Sequence, residues 1–302
     1  MKHETIRACS IWRALEVVGD VPVLLLLEQA FLGKHRFDEF VLETGVARSV
    51  ISNRLEKLVE ADVLTKLPER RSGYRLTEKG RDLFPVALMI LRWQHHWEEG
   101  ERGFSINLVH RDCAQTMVPV AACDHCGAEI DPREVTWAPG PGLSQVTPIY
   151  GRRRRQTASA IAKRGNRTMV DSVIGLFGDR WATLVVRACF TGIHRFDDIQ
   201  RDSLMATNIL ADRLDRLQKQ GIIYAKPYSG HQDRFEYRLT EKGRDLYPVL
   251  LALLQWGDRW YADAKGPPLL LTHEKGGHAL RMKPSCSVCS GRLHLANTKF
   301  DR

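Results

Sequence analysis

Helical and extended periods alternate along this chain in one order, and the order is used twice. In residues 9–19 the apolar positions Ile11, Leu15 and Val18 fall at helical spacing. Gly19 ends that element, and Asp20 stands where its carboxylate can cap the next helix. Residues 23–31 are apolar on nearly every side, which predicts a central buried helix closed by Gly33. A short helix over 37–43 leads through the turn Thr44-Gly45-Val46 into residues 48–60. There Ile51, Leu55, Leu58 and Val59 share one face, and Arg48, Ser49, Ser52, Asn53 and Glu56 share the other. Two helices joined by a short glycine-containing turn predict a helix-turn-helix. Residues 63–67 and 73–76 predict paired strands around a polar tip, a wing. Thr77 is placed to cap a helix reaching about Glu99, kinked where Pro85 removes a backbone donor. In that helix Val86, Ile90, Trp93 and Trp97 make one apolar stripe, read as a seam between two heads.

The second half repeats these periods. Residues 173–177 predict a first helix, Asp179 a cap, 181–190 a buried helix, and 196–201 with 207–220 a second helix-turn-helix. Residues 222–226 and 235–239 flank a longer wing tip carrying Ser229, His231, Gln232 and Arg234, and the stripe returns as Val249, Leu253, Trp256 and Trp260. The letters make the duplication explicit: Tyr-Arg-Leu-Thr-Glu-Lys-Gly-Arg-Asp-Leu stands at 74–83 and, unchanged, at 237–246. A repeat of that length is one module used twice. The fold class expected is mainly α with small β wings: two tandem winged helix-turn-helix domains forming an intrachain pseudo-dimer. The boundaries expected are 9–99 and 168–264 for the heads, 104–138 and 268–302 for small His/Cys knuckles, and 139–167 for a basic linker with Pro and Gly.

Composition narrows the partners. Hydrophobic content of 43% with 27% charged residues is that of an ordinary globular chain, and its 302 residues suffice for two cores. A net charge of +9 leans towards a polyanion. The longest apolar run, 21–27, is far shorter than the roughly 20 residues a membrane span needs, so no membrane partner is expected. From Arg152 to Thr168 there are seven basic residues and no acidic one, with Arg152, Arg153, Arg154 and Arg155 as candidate phosphate contacts.

The second helix of a helix-turn-helix offers its outward amino-terminal residues to base edges in the major groove. The readout candidates are therefore Arg48, Ser49, Ser52 and Asn53 in one head, and Thr207, Asn208 and Asp212 in the other. Arg70 and Arg71 at one wing tip, with His231 and Arg234 at the other, are candidates for the DNA backbone. Arg54 and Arg213 recur in both copies, which suits either a phosphate clamp or a structural ion pair. Because the heads carry different residues, two unlike half-sites are expected in double-stranded DNA.

Seven cysteines, four of them in two Cys-x-x-Cys pairs, suit a reducing cytoplasm better than a disulfide frame. His110-x-x-Cys113 and Cys123-x-x-Cys126 are two ligand pairs that could close one structural zinc site. In the second copy His273, Cys286 and Cys289 keep their places, Gly276 stands where Cys113 does, and His278 could substitute. No cofactor is otherwise required. Cys189 lies in the second buried helix and reads as core.

The ordered motifs Gly178-Asp-Arg-Trp181, Arg195-Phe-Asp197, Arg213-Leu214, the run 236–243 and Trp256-Gly257 resemble the HxlR-type winged helix-turn-helix regulators of bacteria. The similarity covers about 9–99 and 168–264. The first copy departs from the pattern, with Val21-Pro22 in place of Arg-Trp, a short wing, and His95-His96 where the Gly is expected nearby. The resemblance implies a cytoplasmic, nucleoid-associated DNA-binding regulator, more often a repressor, usually dimeric from one copy per chain. Further homodimerisation and an effector stay open. The family often has a cysteine where Cys9 stands and some members use it to sense oxidants or electrophiles, which makes Cys9 a redox candidate, with a buried or idle thiol as the reading favoured. An adaptor that uses its winged helices and thiol or zinc knuckles to bind protein is the alternative. An enzyme is not expected, since no phosphate-binding glycine loop, His-Glu-x-x-His or Gly-x-Ser-x-Gly motif is present.

Overall fold

The computed structural model describes residues 5–68, 72–98, 107–147, 171–228 and 231–301. In the first head, β1 (Ile6–Arg7) precedes α1 (Ser10–Val18), α2 (Val21–Phe31), α3 (Phe37–Thr44) and α4 (Arg48–Glu60). The wing is β2 (Leu64–Lys66) against β3 (Tyr74–Leu76), followed by α5 (Glu78–Arg81) and α6 (Phe84–Glu98). Apolar periodicity sets the burial: Leu25, Leu26, Phe40, Ile51, Leu55 and Leu58 are almost wholly enclosed. The helix-turn-helix corner needs a left-handed residue, which Gly45 supplies at φ 62°. Just before it, Glu39 reaches back to the amides of Arg36 and His35 at 2.9 and 3.1 Å and closes the start of α3.

Two local expectations are corrected. Asp20 makes no side-chain cap on α2: Pro22 has no amide hydrogen at the second helical position, and the carboxylate pairs with Arg54 at 2.8 Å. The long helix expected after Thr77 is two helices, since the chain breaks at Asp82–Leu83 and Pro85 falls in the first turn of α6, where a missing amide hydrogen costs nothing.

The second head runs α7 (Asp171–Phe177), α8 (Arg180–Phe190), α9 (Phe196–Ser203) and α10 (Thr207–Lys219). Here Asp179 does cap, accepting from the amides of Trp181 and Ala182. Leu204 takes the left-handed corner at φ 52°, a conformation that costs a side-chain-bearing residue about 1–2 kcal/mol. The wing, β9 (Ile223–Tyr228) and β10 (His231–Leu239), is longer than its counterpart; α11 (Glu241–Arg244) and α12 (Tyr247–Tyr261) follow.

The unchanged ten-residue repeat is explained by what it touches. Thr77 and Thr240 accept from the amides of Gly80 and Gly243, each at 3.0 Å, and start α5 and α11. A Cβ on either glycine would lie 2.1 Å from the carbonyl oxygen of Val63 or Ile222, so no larger residue fits. Lys79 and Asp82, with their counterparts Lys242 and Asp245, face the other copy. Trp256 donates its indole hydrogen to the Lys79 carbonyl and Trp93 donates to that of Lys242, both at 2.9 Å. Trp260 donates to Asp82 at 3.0 Å and Trp97 to Asp245 at 2.8 Å. Lys79 lies 4.1 Å from the Tyr261 ring centroid, and Lys242 lies 5.1 Å from that of Trp93. Each decapeptide therefore fits the tryptophan helix of the opposite copy.

The pseudo-two-fold seam continues along the molecule. Asp20 and Asp179 pair backbone to backbone. Helix α1 packs on α12, and a Cβ on Gly257 would lie 2.2 Å from the Ser10 carbonyl oxygen. The knuckle segments are interleaved. Strand β6 (Pro119–Cys123) pairs antiparallel with β13 (Met282–Cys286), with Ala121 opposite Pro284. Strand β4 (Asn107–His110) lies between β5 (Gln115–Met117) of its own copy and β14 (Thr298–Asp301) of the other. Likewise β11 (Leu269–His273) lies between β12 (His278–Ala279) and the first copy's β7 (Val135–Pro139). A short pair, β1 with β8 (Gln145–Val146), closes the first copy.

Candidate nucleic-acid interface and metal centres

Burial of the Ile51, Leu55 and Leu58 face turns the start of α4 outward. Arg48, Ser49 and Asn53 are exposed and Ser52 is half-buried. Arg48 is held in place from below: its guanidinium bonds Asp38 at 2.8 Å and lies 4.8 Å from the Phe37 ring centroid. In the second head Thr207 and Asn208 are exposed, with Thr207 accepting from Gln200 at 2.8 Å. Asp212 is half-buried and bonds Arg213. The two presented faces thus differ in charge: a guanidinium and hydroxyls on one, an amide, a hydroxyl and a carboxylate on the other.

Arg54 and Arg213 are not presented. Arg54 pairs with Asp20 at 2.8 Å, and Arg213, only 6% exposed, pairs with Asp179 at 2.5 Å, with Arg216 adding to the same carboxylate at 3.2 Å. In both copies the recurring arginine stands in an ion pair, which ties α4 to the start of α2, and α10 to the start of α8. On the second wing Arg234 is exposed. Arg70, Arg71, the Arg152–Arg155 run and the side chain of His231 lie outside the described residues.

The His/Cys pairs come together, but not as their spacing suggested. His110, Cys113, Cys123 and Cys126 do not close one site. His110 and Cys113 meet Cys286 and Cys289, while Cys123 and Cys126 meet His273 and His278. The reason is strand register: pairing β6 with β13 brings each Cys-x-x-Cys turn beside the His-bearing strand of the other copy. His278 fills the place that Gly276 leaves vacant. In the first group His110 Nδ1 lies 3.4 Å from Cys113 Sγ and 3.2 Å from Cys289 Sγ, and Cys113 Sγ lies 3.9 Å from Cys286 Sγ. In the second, Cys123 Sγ lies 3.2 Å from His278 Nε2 and Cys126 Sγ 3.5 Å from His273 Nδ1. Donor atoms around a tetrahedral zinc ion, ~2.0–2.3 Å from it, stand roughly 3.3–3.8 Å apart, so both groups could hold a metal ion.

The surroundings favour the ligand forms of His110, Cys123 and Cys289, but not of Cys113. Asp112 lies 3.1 Å from His110 Nε2, which places the ring proton there and leaves Nδ1 free to coordinate. Burial raises the Cys123 thiol, but the amides of Cys126 and His125 and the His278 ring outweigh it and bring it down to about 6. The amide of Gly291 leads in lowering Cys289 to about 7. Burial holds Cys113 above the usual thiol range.

Cys9, the redox candidate, is half-buried on the wall of an apolar cavity of about 200 Å³ shared with Trp137, Phe190, Tyr247 and Leu254. Cys189 is core, and burial pushes its thiol up to about 12. Among the described residues no helix is long and apolar enough to cross a membrane.

Fold and site together define a tandem winged helix-turn-helix protein with two outward recognition helices and an interleaved pair of thiol-imidazole clusters. The HxlR-like helix-turn-helix family matches residues 17–102 and 176–265, more than half of the chain, and the chain belongs to that family. An uncharacterized HTH-type transcriptional regulator of Mycobacterium tuberculosis is 40% identical over 138 residues, 44% of this chain and 87% of the relative. One of Synechocystis sp. is 35% identical over 107 residues, 35% of this chain and 78% of the relative. The crystal structure of PA1607, a candidate transcription factor, matches at 31% identity with a TM-score of 0.42, covering 47% of this chain and 99% of that one. Each of the two regulators is matched over less than half of this chain.

Proposed function

We propose that this chain is a sequence-specific transcription regulator, acting as a repressor by occupying double-stranded DNA with two unlike recognition helices. The observation that carries the reading is the pair of exposed helix starts, Arg48-Ser49 and Thr207-Asn208, related by one seam yet different in chemistry. An arginine can grip guanine through two acceptors and an asparagine can grip adenine, each good bidentate pair giving ~1–3 kcal/mol of discrimination. Heads related by a pseudo-two-fold suit half-sites about 34–36 Å apart. A single chain supplies both heads, so one chain per operator suffices. The place of action is the cytoplasm, on the nucleoid.

The cofactor in this reading is structural zinc. Thiolates and imidazoles are its preferred donors, and four protein ligands leave no open position for catalysis, which also argues against an enzyme. The test is selection from a random duplex pool by the purified protein, followed by sequencing. Enrichment of sites with two non-identical half-sites supports the proposal; enrichment of a perfect palindrome, or of nothing, refutes it.

A further inference from the structure

Metal ligands on one knuckle can stabilise only that knuckle. Here neither group is confined to one copy: His110 and Cys113 belong to the first copy and Cys286 and Cys289 to the second, and the other group is built the same way in reverse. We propose that two zinc ions act as clasps between the copies, one in the Cys3His group and one in the Cys2His2 group, and that metal content sets the spacing of the two recognition helices. The DNA part rests on the function proposed above; the metal part does not.

Three features argue for it. The paired strands pack on the tryptophan helices themselves: β6 and β13 both lie against α6, and Gln255 of α12 accepts from the Met282 amide at 2.6 Å and donates to the Met282 carbonyl at 2.9 Å. A change in how β6 and β13 pair is therefore passed to both tryptophan helices. The two groups also enclose the centre of that pairing from both sides, since Cys123 stands opposite Met282 and Cys286 opposite Pro119. Finally, His110 is oriented from outside the cluster through Asp112 at 3.1 Å, and Asp112 in turn accepts at 2.9 Å from the side-chain amide of Asn297, which belongs to the second copy. Binding free energy released at a preformed site adds to the stability of whatever the ligands join. What these ligands join is one copy to the other.

The groups differ in charge. Three thiolates and an imidazole around a divalent ion carry one net negative charge, whereas two thiolates and two imidazoles carry none. The two ions are therefore distinguishable, and cobalt(II) in their place would show three thiolate charge-transfer bonds in one site and two in the other.

The pairing is tested by counting zinc in the full-length protein by elemental mass spectrometry. Wild type should hold two ions per chain. The double variant Cys113→Ser with Cys289→Ser should keep one, because both residues serve the same ion. Cys113→Ser with Cys126→Ser should hold none. Same-copy sites require the reverse, none and then one, and that result overturns the clasp. Should a double variant fail to fold, Cys289→Ser alone decides, since Cys289 is exposed. Losing its ion should open Cys113 to alkylation while Cys126 stays protected. A protected Cys113 contradicts the proposal.

For the DNA arm, stripping zinc with a chelator should weaken binding to a duplex carrying both half-sites at least tenfold. Binding to a duplex with one half-site should hold within twofold. Equal affinities for the two-site duplex with and without zinc overturn the spacing role. Loss of binding to all duplexes, zinc present, would instead overturn the function proposed above.

Discussion

Replacing Trp256 by Phe isolates what the seam contributes. The indole is 2% exposed, and its ring nitrogen donates across the copies to the Lys79 carbonyl at 2.9 Å. Phe keeps a six-membered ring in the same slot but removes the donor, leaving a buried carbonyl without that bond, at ~1–3 kcal/mol. It also removes roughly 40 Å³ of packed volume, which at ~24 cal/mol per Å³ adds about 1 kcal/mol. The expected loss is thus ~2–4 kcal/mol, and it falls on the join between copies. Urea unfolding followed by far-UV circular dichroism would measure it, with the slope checked against wild type so that a midpoint shift can be converted to free energy. Trp93→Phe, the pseudo-symmetric change, breaks the matching bond to Lys242 and should cost a similar amount. A loss below about 0.5 kcal/mol in both variants would show that these indole bonds do not hold the seam.

Other expectations follow from single contacts. Gly243→Ala should destabilise by more than about 3 kcal/mol in the same assay, because its Cβ would meet the Ile222 carbonyl at 2.1 Å. Gly192→Ala, at φ +80° with nothing within 4 Å of a new Cβ, should cost only ~1–2 kcal/mol. Arg48→Ala should relax base preference at one half-site by ~1–3 kcal/mol and leave the other unchanged, as read by binding to half-site libraries. Arg213→Ala should instead lower stability by about 3 kcal/mol, since it leaves Asp179 with the weaker partner Arg216, without altering base preference. Glu39→Ala should cost ~0.5–1 kcal/mol at neutral pH through the lost cap. The amides of Arg36 and His35 hold the Glu39 carboxyl below its usual range, so its contribution is present above the ordinary carboxylate pKa and lost as pH falls through the lowered one. Unfolding midpoints of wild type and variant should therefore converge in acid.

The elements legible in the sequence were those set by local periodicity. The apolar faces of 48–60 and 207–220, the stripes ending at Trp97 and Trp260, and the left-handed Gly45 each need only neighbouring residues to be read. Asp20 misled because Pro22 removes an amide hydrogen that a cap would take, which leaves the carboxylate to Arg54, thirty-four residues away. The helix after Thr77 misled because the same Pro85 that kinks a continuous helix also starts a new one. The metal groups were half legible. Spacing identified His110 with Cys113 and Cys123 with Cys126 as ligand pairs, but which pairs meet is decided by the register of β6 on β13, set by residues far apart in the chain. The available signal was the answering set His273, Cys286 and Cys289 in the second copy, which offered cross-copy partners of the right type. Strands β7 and β14 left little trace, since Val135–Pro139 is mostly exposed and shows no alternation.

In the proposed function one chain grips duplex DNA electrostatically with two different heads. The most direct measurement is equilibrium binding of the purified, zinc-loaded protein to the pool-selected duplex across a series of salt concentrations, beside duplexes in which either half-site is duplicated into a palindrome. The result expected is affinity that falls linearly on a logarithmic salt scale, with the unlike pair bound more tightly than either palindrome. Affinity that ignores salt, or a palindrome bound as well as the unlike pair, would contradict it.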